Sequence, residues 1–340
     1  MKKLLFICKY RQGYGLKRHL SSGLLNSATF VNKMLQENGV ISNLVQVIDN
    51  NCIDKEVALY KPDYVIIEAL WVVPEKFDIL HRLHPKVHWI IRLHSEIPFI
   101  ANEGVAIEWI KKYMNYRNVH IAVNSKRMLN DLQEVITKDR ILYLPNYYPL
   151  SSTSKKIRCK KNELHIGCFG SIRPMKNQLK QAISAIKYCN KANKILNFHI
   201  NSTRLENRGE PVLKNLKALF ENSKHKLVEH NWMQHDFFVK IIKKMDLNMQ
   251  VSLSETFNII AADSVNNNVP IICSNEISWI NFLYKADANN TNSIVSKIKL
   301  ALLLGKINFH FINKLKLWFY NFKSENEWLK FVNNEIIRKN

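Results

Sequence analysis

No stretch of this 340-residue sequence approaches the roughly 18 consecutive apolar residues of a membrane-spanning helix. The start of the chain carries no secretory pattern either. Lys2-Lys3 precedes only a short apolar run, Leu4 to Cys8, which Lys9 ends. Both absences lead us to expect a cytoplasmic protein. The six cysteines (8, 52, 159, 168, 189 and 273) include no Cys-x-x-Cys pair, and no Cys/His cluster has zinc spacing. Cys8, Cys168 and Cys273 fall in apolar, strand-like runs, so reduced and buried thiols are expected. There is no Gly-Lys-Ser/Thr phosphate loop, no nucleophile elbow, no complete Gly-x-Gly-x-x-Gly and no Asp-x-Asp. P-loop chemistry, serine hydrolysis at an elbow and zinc modules are therefore excluded as readings.

Acidic residues are scarce: 28 Asp and Glu stand against 50 Lys and Arg, a net charge of +22. The imbalance is uneven. Residues 1–150 carry 20 basic and 14 acidic side chains, net +6, and residues 151–340 carry 30 and 14, net +16. Such a field attracts polyanions: nucleic acid, anionic lipid headgroups or a diphosphate-bearing ligand. A composition rich in Lys, Asn and Ile accounts for the charge equally well, so charge alone does not select the partner. Hydrophobic residues at 46% and aromatics at 10% are those of a soluble globular protein, and the length argues for two domains.

The pattern along the chain is alternating strand and helix. Leu4–Cys8 reads as a strand, Ser22–Asn38 as a helix stopped by Gly39, and Leu44–Ile48 as a second strand. Tyr64–Ile67, Val87–Leu93, Val119–Val123 and Ile141–Leu144 read as further strands with helical segments between them. Residues 151–161 are polar, charged and aperiodic, a linker. A second α/β series follows. Its strands are Leu164–Phe169, Leu196–Ile200, Lys226–Glu229, Leu247–Leu253 and Val269–Cys273. Its helices are Gln178–Asn190, Pro211–Asn222 and His235–Met245. We expect an α/β protein of two Rossmann-like domains, 1–150 and 162–308, facing a cleft, with ligands at the carboxyl ends of the strands. A tail, 309–340, carries Phe311, Leu315, Trp318, Phe319, Phe322, Trp328 and Phe331 mostly at three- or four-residue spacing. It reads either as a helix packing back over the domains or as a membrane-surface helix with basic flanks.

Two segments carry chemistry. In Ser254-Glu255-Thr256-Phe257-Asn258-Ile259-Ile260-Ala261-Ala262-Asp263, one carboxylate follows a strand and a second falls eight positions on, about two turns into the next helix. A helix N-terminus offers free N–H groups and the positive end of the dipole, and so a diphosphate site. In Gly167-Cys168-Phe169-Gly170-Ser171-Ile172-Arg173-Pro174-Met175-Lys176-Asn177, a strand runs into a short loop holding two cations before a helix.

These segments resemble the Glu-x7-Glu and Gly-Arg-x-x-x-Lys-Gly/Asn elements of retaining GT-B glycosyltransferases such as glycosyltransferase family 4. Asp263 stands for the second Glu, and Asn258 for the usual Gly. Asn is the next best residue for a left-handed backbone. The resemblance implies a GT-B fold with a C-terminal helix crossing back. It also implies a hexosyl or pentosyl transfer from a UDP- or GDP-linked sugar, with no metal and no cofactor beyond that donor. Arg173 and Lys176 would hold the diphosphate, and Glu255 hydroxyls of the transferred sugar. Backbone N–H groups of Phe257, Asn258 and Ile259 would meet the distal phosphate, and Asp263 the ribose. His94, after the strand ending at Leu93, would sit near the sugar on the acceptor side, or serve as a structural histidine. Trp232, in His230–Asp236, would pack on the nucleotide base, or belong to the core. Gly13 and Gly15, in Arg11–Gly15 after the first strand, match the family's glycine-rich loop. Asn124-Ser125 and Pro145-Asn146 resemble later loop positions, Asn146 in a structural role. The acceptor expected from the family is a surface glycan or glycolipid, with peripheral contact to an anionic membrane. The alternatives are a phage or viral enzyme glycosylating hydroxymethylated DNA, and a non-catalytic nucleotide-sugar-binding protein.

Overall fold

The computed structural model describes residues 2–10, 22–151 and 162–333. The expected glycines Gly13 and Gly15, Arg11, and residues 152–161 of the linker lie outside the described residues. The chain divides into two compact units. The first comprises Met1–Pro149 with Tyr320–Asn340, and the second Leu150–Phe319.

In the first unit six parallel strands form one sheet. They are β1 (Lys3–Lys9), β2 (Ile41–Val47), β3 (Tyr64–Glu68), β4 (His88–Leu93), β5 (Val119–Val123) and β6 (Ile141–Tyr143), in the order β2-β1-β3-β4-β5-β6. Successive side chains of a strand point to opposite faces. Leu5, Ile7, Val65, Ile67, Trp89 and Ile91 therefore share one core with the helices Ile53–Tyr60, Lys76–Leu83 and Ala106–Tyr113. Leu4, Phe6, Tyr64, Ile66 and Ile90 share the other with the helix Gly23–Glu37 and with Trp328 and Phe331 of the last helix. Both faces are covered, which is why these strands read as unbroken apolar runs. The helix Gly23–Glu37 begins where Ser22 Oγ accepts the Leu25 N–H at 3.0 Å.

The second unit repeats the plan with β7 (Glu163–Gly167), β8 (Ile195–Asn201), β9 (Lys226–His230), β10 (Leu247–Gln250), β11 (Ile271–Ser274) and β12 (Lys285–Ala286). Their order is β12-β11-β10-β7-β8-β9, again all parallel. β10 stops at Gln250, three residues before the expected end, and Val251–Asn258 form a loop. Glu255 therefore lies on that loop, and Asp263 is the fifth residue of the helix Ile259–Asn266, one turn in rather than two.

The last helix, Phe311–Val332, has two dissimilar faces. Leu317, Trp328 and Phe331 are fully buried, while Phe311, Leu315, Trp318, Phe319 and Phe322 are about half exposed. One side of the helix is thus packed and the other carries exposed aromatic rings. Among the described residues no helix is long and apolar enough to cross a membrane.

Candidate functional site

The order of the second sheet turns between β7 and β10. The chain winds outward through β8 and β9, then returns to pair β10 on the other side of β7. The loops leaving β7 and β10 diverge there, and the crevice at their carboxyl ends is where open α/β sheets bind ligands. All four of Arg173, Lys176, Glu255 and Asn258 lie on these two loops.

The loop after β7 is held in shape by its backbone. Gly170 has φ +109°, a conformation that costs glycine nothing, and a Cβ there would lie 3.1 Å from Ile260 Cδ1. Its N–H donates to Asn201 Oδ1 at 3.0 Å. Pro174–Lys176 make one tight turn, and Asn177, at φ +56°, leads into the helix Gln178–Lys191. The Asn177 amide donates to the carbonyls of Val251 (3.1 Å) and Ala288 (2.9 Å). The Leu253 N–H donates to the Met175 carbonyl at 2.9 Å, which ties the two loops together.

Lys176 Nζ donates to Glu255 Oε1, with side-chain exposures of 10% and 9%. Burial alone would raise the Glu255 pKa. The ammonium of Lys176 and the guanidinium of Arg173 outweigh it and hold the carboxyl below its ordinary range. Arg173 donates to Glu206 Oε2 at 3.2 Å, and Arg204 Nε donates to Glu206 Oε1 at 2.7 Å. Burial again works against the Glu206 anion, and Arg204 and Arg173 again prevail. The Arg204 guanidinium also lies 4.5 Å from the ring centre of Trp232, and the backbone N–H of Trp232 donates to Thr203 Oγ1 at 2.7 Å. A continuous ionic chain therefore runs from Trp232 through Arg204 and Glu206 to Arg173, beside the Lys176–Glu255 pair.

The helix N-terminus is built by Asn258. At φ +61° its Oδ1 accepts the Ala261 N–H at 2.9 Å, and its Nδ2 donates to Gln250 Oε1 at 2.8 Å. Glycine would supply the backbone angle but neither bond. Phe257 is buried against Trp279, whose Nε1 donates to the Phe257 carbonyl at 2.8 Å. Phe257, Asn258 and Ile259 thus stand fixed at the first turn. Asp263 is 1% exposed, and His235 Nε2 donates to its Oδ1 at 2.7 Å. Burial opposes the charged imidazole, but the hydrogen bond and charge of Asp263 raise the His235 pKa.

His94 belongs to a different cluster, in the first unit. Arg92 and Glu68 are wholly buried at the carboxyl ends of β4 and β3. Arg92 donates to both Glu68 oxygens at 3.1 Å, to the carbonyls of Leu144 (3.0 Å) and Pro145 (3.1 Å), and to Asn146 Oδ1 (2.6 Å). His94 Nε2 donates to Glu68 Oε2, and Asn124 Nδ2 lies 3.5 Å from His94 Nδ1. Burial lowers the His94 pKa, and Glu68 only partly offsets this. Asn146 is structural, as expected: it accepts from Arg92, and its carbonyl accepts from Ser324 Oγ. Ser125 caps the helix Lys126–Gln133 through a 3.1 Å bond from the Met128 N–H.

Sequence reading missed Glu68, Arg92, Arg204, Glu206 and His235. Glu68 and Arg92 carried one signal, a charge at the end of an apolar parallel strand. Glu206 and His235 lie 33 and 28 residues from the partners they serve, and no local pattern marks them.

No family model and no curated sequence matches this chain. Solved structures do. Sucrose-phosphate synthase from Thermosynechococcus elongatus superposes with a TM-score of 0.69 at 10% identity, over 99% of this chain and 100% of that one. The Anabaena protein HepE, in complex with UDP and glucose, gives 0.63 at 10% identity over 98% and 100%. Staphylococcus aureus TarM, in complex with fondaparinux, alpha-GlcNAc-glycerol and UDP, gives 0.60 at 15% identity. That match covers 79% of this chain and 54% of TarM, so the chain spans about half the length of that protein. What these similarities share with the two six-stranded parallel sheets is the architecture, and the chain has the GT-B fold.

Proposed function

We propose that this chain is a glycosyltransferase that moves a sugar from a nucleotide-diphosphate sugar to an acceptor hydroxyl, with retention and without a metal. One observation carries the reading. Arg173 and Lys176 stand with the carboxylate of Glu255 at the switch point of the second sheet, next to the N-terminus of the helix Ile259–Asn266. Departure of a nucleoside diphosphate builds negative charge, and preorganised cations and helix N–H groups stabilise it there. Arg173 and Lys176 hold the diphosphate, exchanging part of their contact with Glu206 and Glu255 for phosphate oxygens. Glu255 binds hydroxyls of the sugar, and the first turn at Phe257–Ile259 meets the distal phosphate. Trp232, backed by Arg204, offers a face to the base, and Asp263, oriented by His235, reaches the ribose. The acceptor hydroxyl attacks on the side from which the diphosphate leaves and passes its proton to the departing phosphate oxygen, so the enzyme supplies orientation and charge rather than a general base. UDP in two structures of the same fold supports a UDP-linked donor.

The acceptor we favour is a surface glycan or glycolipid made at a membrane face. The charge of +22 would serve duplex DNA as well, and hydroxymethylated DNA is the competing acceptor. The test is release of nucleoside diphosphate from a panel of UDP- and GDP-sugars, with each acceptor class and with or without a chelator. Turnover that survives the chelator and falls about 100-fold in Arg173→Ala and in Lys176→Ala is expected. Complete loss in the chelator would overturn the metal-free mechanism. Donor binding with no turnover on any acceptor would favour a non-catalytic binding protein.

A further inference from the structure

The outer face of the helix Phe311–Val332 is not explained by the fold or by the donor site. Phe311, Leu315, Trp318, Phe319 and Phe322 recur at intervals that bring them to one stripe of an α-helix, over about 17 Å at 1.5 Å per residue. Each is between 49% and 56% exposed, although the opposite side of the same helix is packed. Trp318 and Phe319 meet edge to face at 4.9 Å, so the aromatic surface is continuous there. Large aromatics exposed together mark an interaction surface; scattered single ones do not.

Charge identifies the partner. From Ala288 to Ser324 the chain contains no Asp or Glu, and it carries Lys297, Lys299, Lys306, Lys314, Lys316 and Lys323. Lys316 and Lys323 are exposed and border the stripe on one side, and Lys299 and Lys306 are exposed on the preceding helix Thr291–Lys306. A second copy of this chain would set lysine against lysine. An anionic lipid surface complements both parts: rings enter the boundary between headgroups and acyl chains, and ammonium groups meet lipid phosphates. We propose that this face binds an anionic membrane surface, with Trp318 and Phe319 inserted and Lys316 and Lys323 at the headgroups. The attachment is reversible and lies in the membrane plane. It is independent of the transfer reaction, so its failure would leave the donor site untouched.

The full chain is sedimented with vesicles of phosphatidylcholine alone and with phosphatidylglycerol added. Binding is expected only with the anionic lipid. It should weaken at 1 M salt, where the Debye length falls to about 3 Å. Trp318→Ser with Phe319→Ser, and separately Lys316→Glu with Lys323→Glu, should each lower vesicle partitioning about tenfold at unchanged melting temperature. Leu59→Ser, at a residue 71% exposed in the first unit, should leave partitioning unchanged. Equal binding to both vesicle types, or retained binding in the Trp318/Phe319 variant, would overturn the proposal. So would a dimer in sedimentation analysis that the same variant dissociates, because the face would then be occupied by a second copy. Binding to duplex DNA that competes with vesicles and survives loss of the rings would assign the lysines to nucleic acid and count against it.

Discussion

The two sheets use charge at their carboxyl ends in opposite ways. In the first unit Arg92 and Glu68 have no exposure, and Arg92 is bound by Glu68, two carbonyls and Asn146. Such a guanidinium has little left to offer a ligand. It instead fixes the ends of three strand connections and, through Glu68, the tautomer of His94. In the second unit Lys176, Arg173 and Arg204 keep 10%, 18% and 12% of their side-chain surface, and each is paired to a carboxylate. These pairs balance the cations while leaving each partly exposed. The same position in two similar sheets thus holds a fully sequestered ion cluster in one and partly exposed ion pairs in the other.

Arg92→Ala tests the first half of that contrast and should have the largest effect. Removing one partner leaves Glu68 as a buried, uncompensated charge, at a cost of about 3–5 kcal/mol. Thermal unfolding should show a clear drop in midpoint, and an unchanged midpoint would mean that the cluster is not structural. Lys176→Ala tests the other half. Turnover should fall about 100-fold, in line with loss of one transition-state donor, while the midpoint moves little. A large loss of stability there would erase the distinction between the units. Glu255→Gln should reduce turnover about tenfold and leave the fold intact, read as kcat at saturating donor sugar. The smallest effect concerns His235. Its pKa is raised in the folded state, so its stabilising contribution is complete below the ordinary histidine pKa near 6.5 and fades as pH rises through the raised value. The gap in melting temperature between the native chain and His235→Ala should therefore be widest near pH 6 and narrow toward pH 9. A gap independent of pH would mean that the imidazole acts by packing alone.

The strands were legible because sheets covered on both faces demand continuous apolar runs, and Leu4–Cys8, Val119–Val123 and Ile271–Cys273 are such runs. The positions of Arg173, Lys176 and Glu255 on loops at the carboxyl ends of β7 and β10 were legible because each sits a few residues beyond such a run. Glu68 was not, because a carboxylate at the end of an apolar run reads as a stop. In the structure it continues β3 and is neutralised from β4. The ties of Glu206 to Arg173, of Arg204 to Trp232 and of His235 to Asp263 depend on segments that follow different strands meeting, which no local pattern encodes. Asparagine replaces glycine at several left-handed positions, Asn177, Asn222, Asn258 and Asn268 among them. A reader looking for glycine at turns would pass over them.

Trp328 and Phe331 pack with Leu4, Phe6 and Tyr64, and the Trp328 Nε1 donates to the Pro145 carbonyl at 2.8 Å. The first unit is therefore composed of the two ends of the chain. During synthesis its sheet can assemble early, but part of one face, beside the helix Gly23–Glu37, stays uncovered while the whole second unit is being made. The nascent first unit must wait, with apolar surface open, for residues made only after the second unit. A chain stopped just short of Trp328 would carry a complete second unit attached to an unfinished first one, so residues that follow the second unit decide whether the first is ever fully folded.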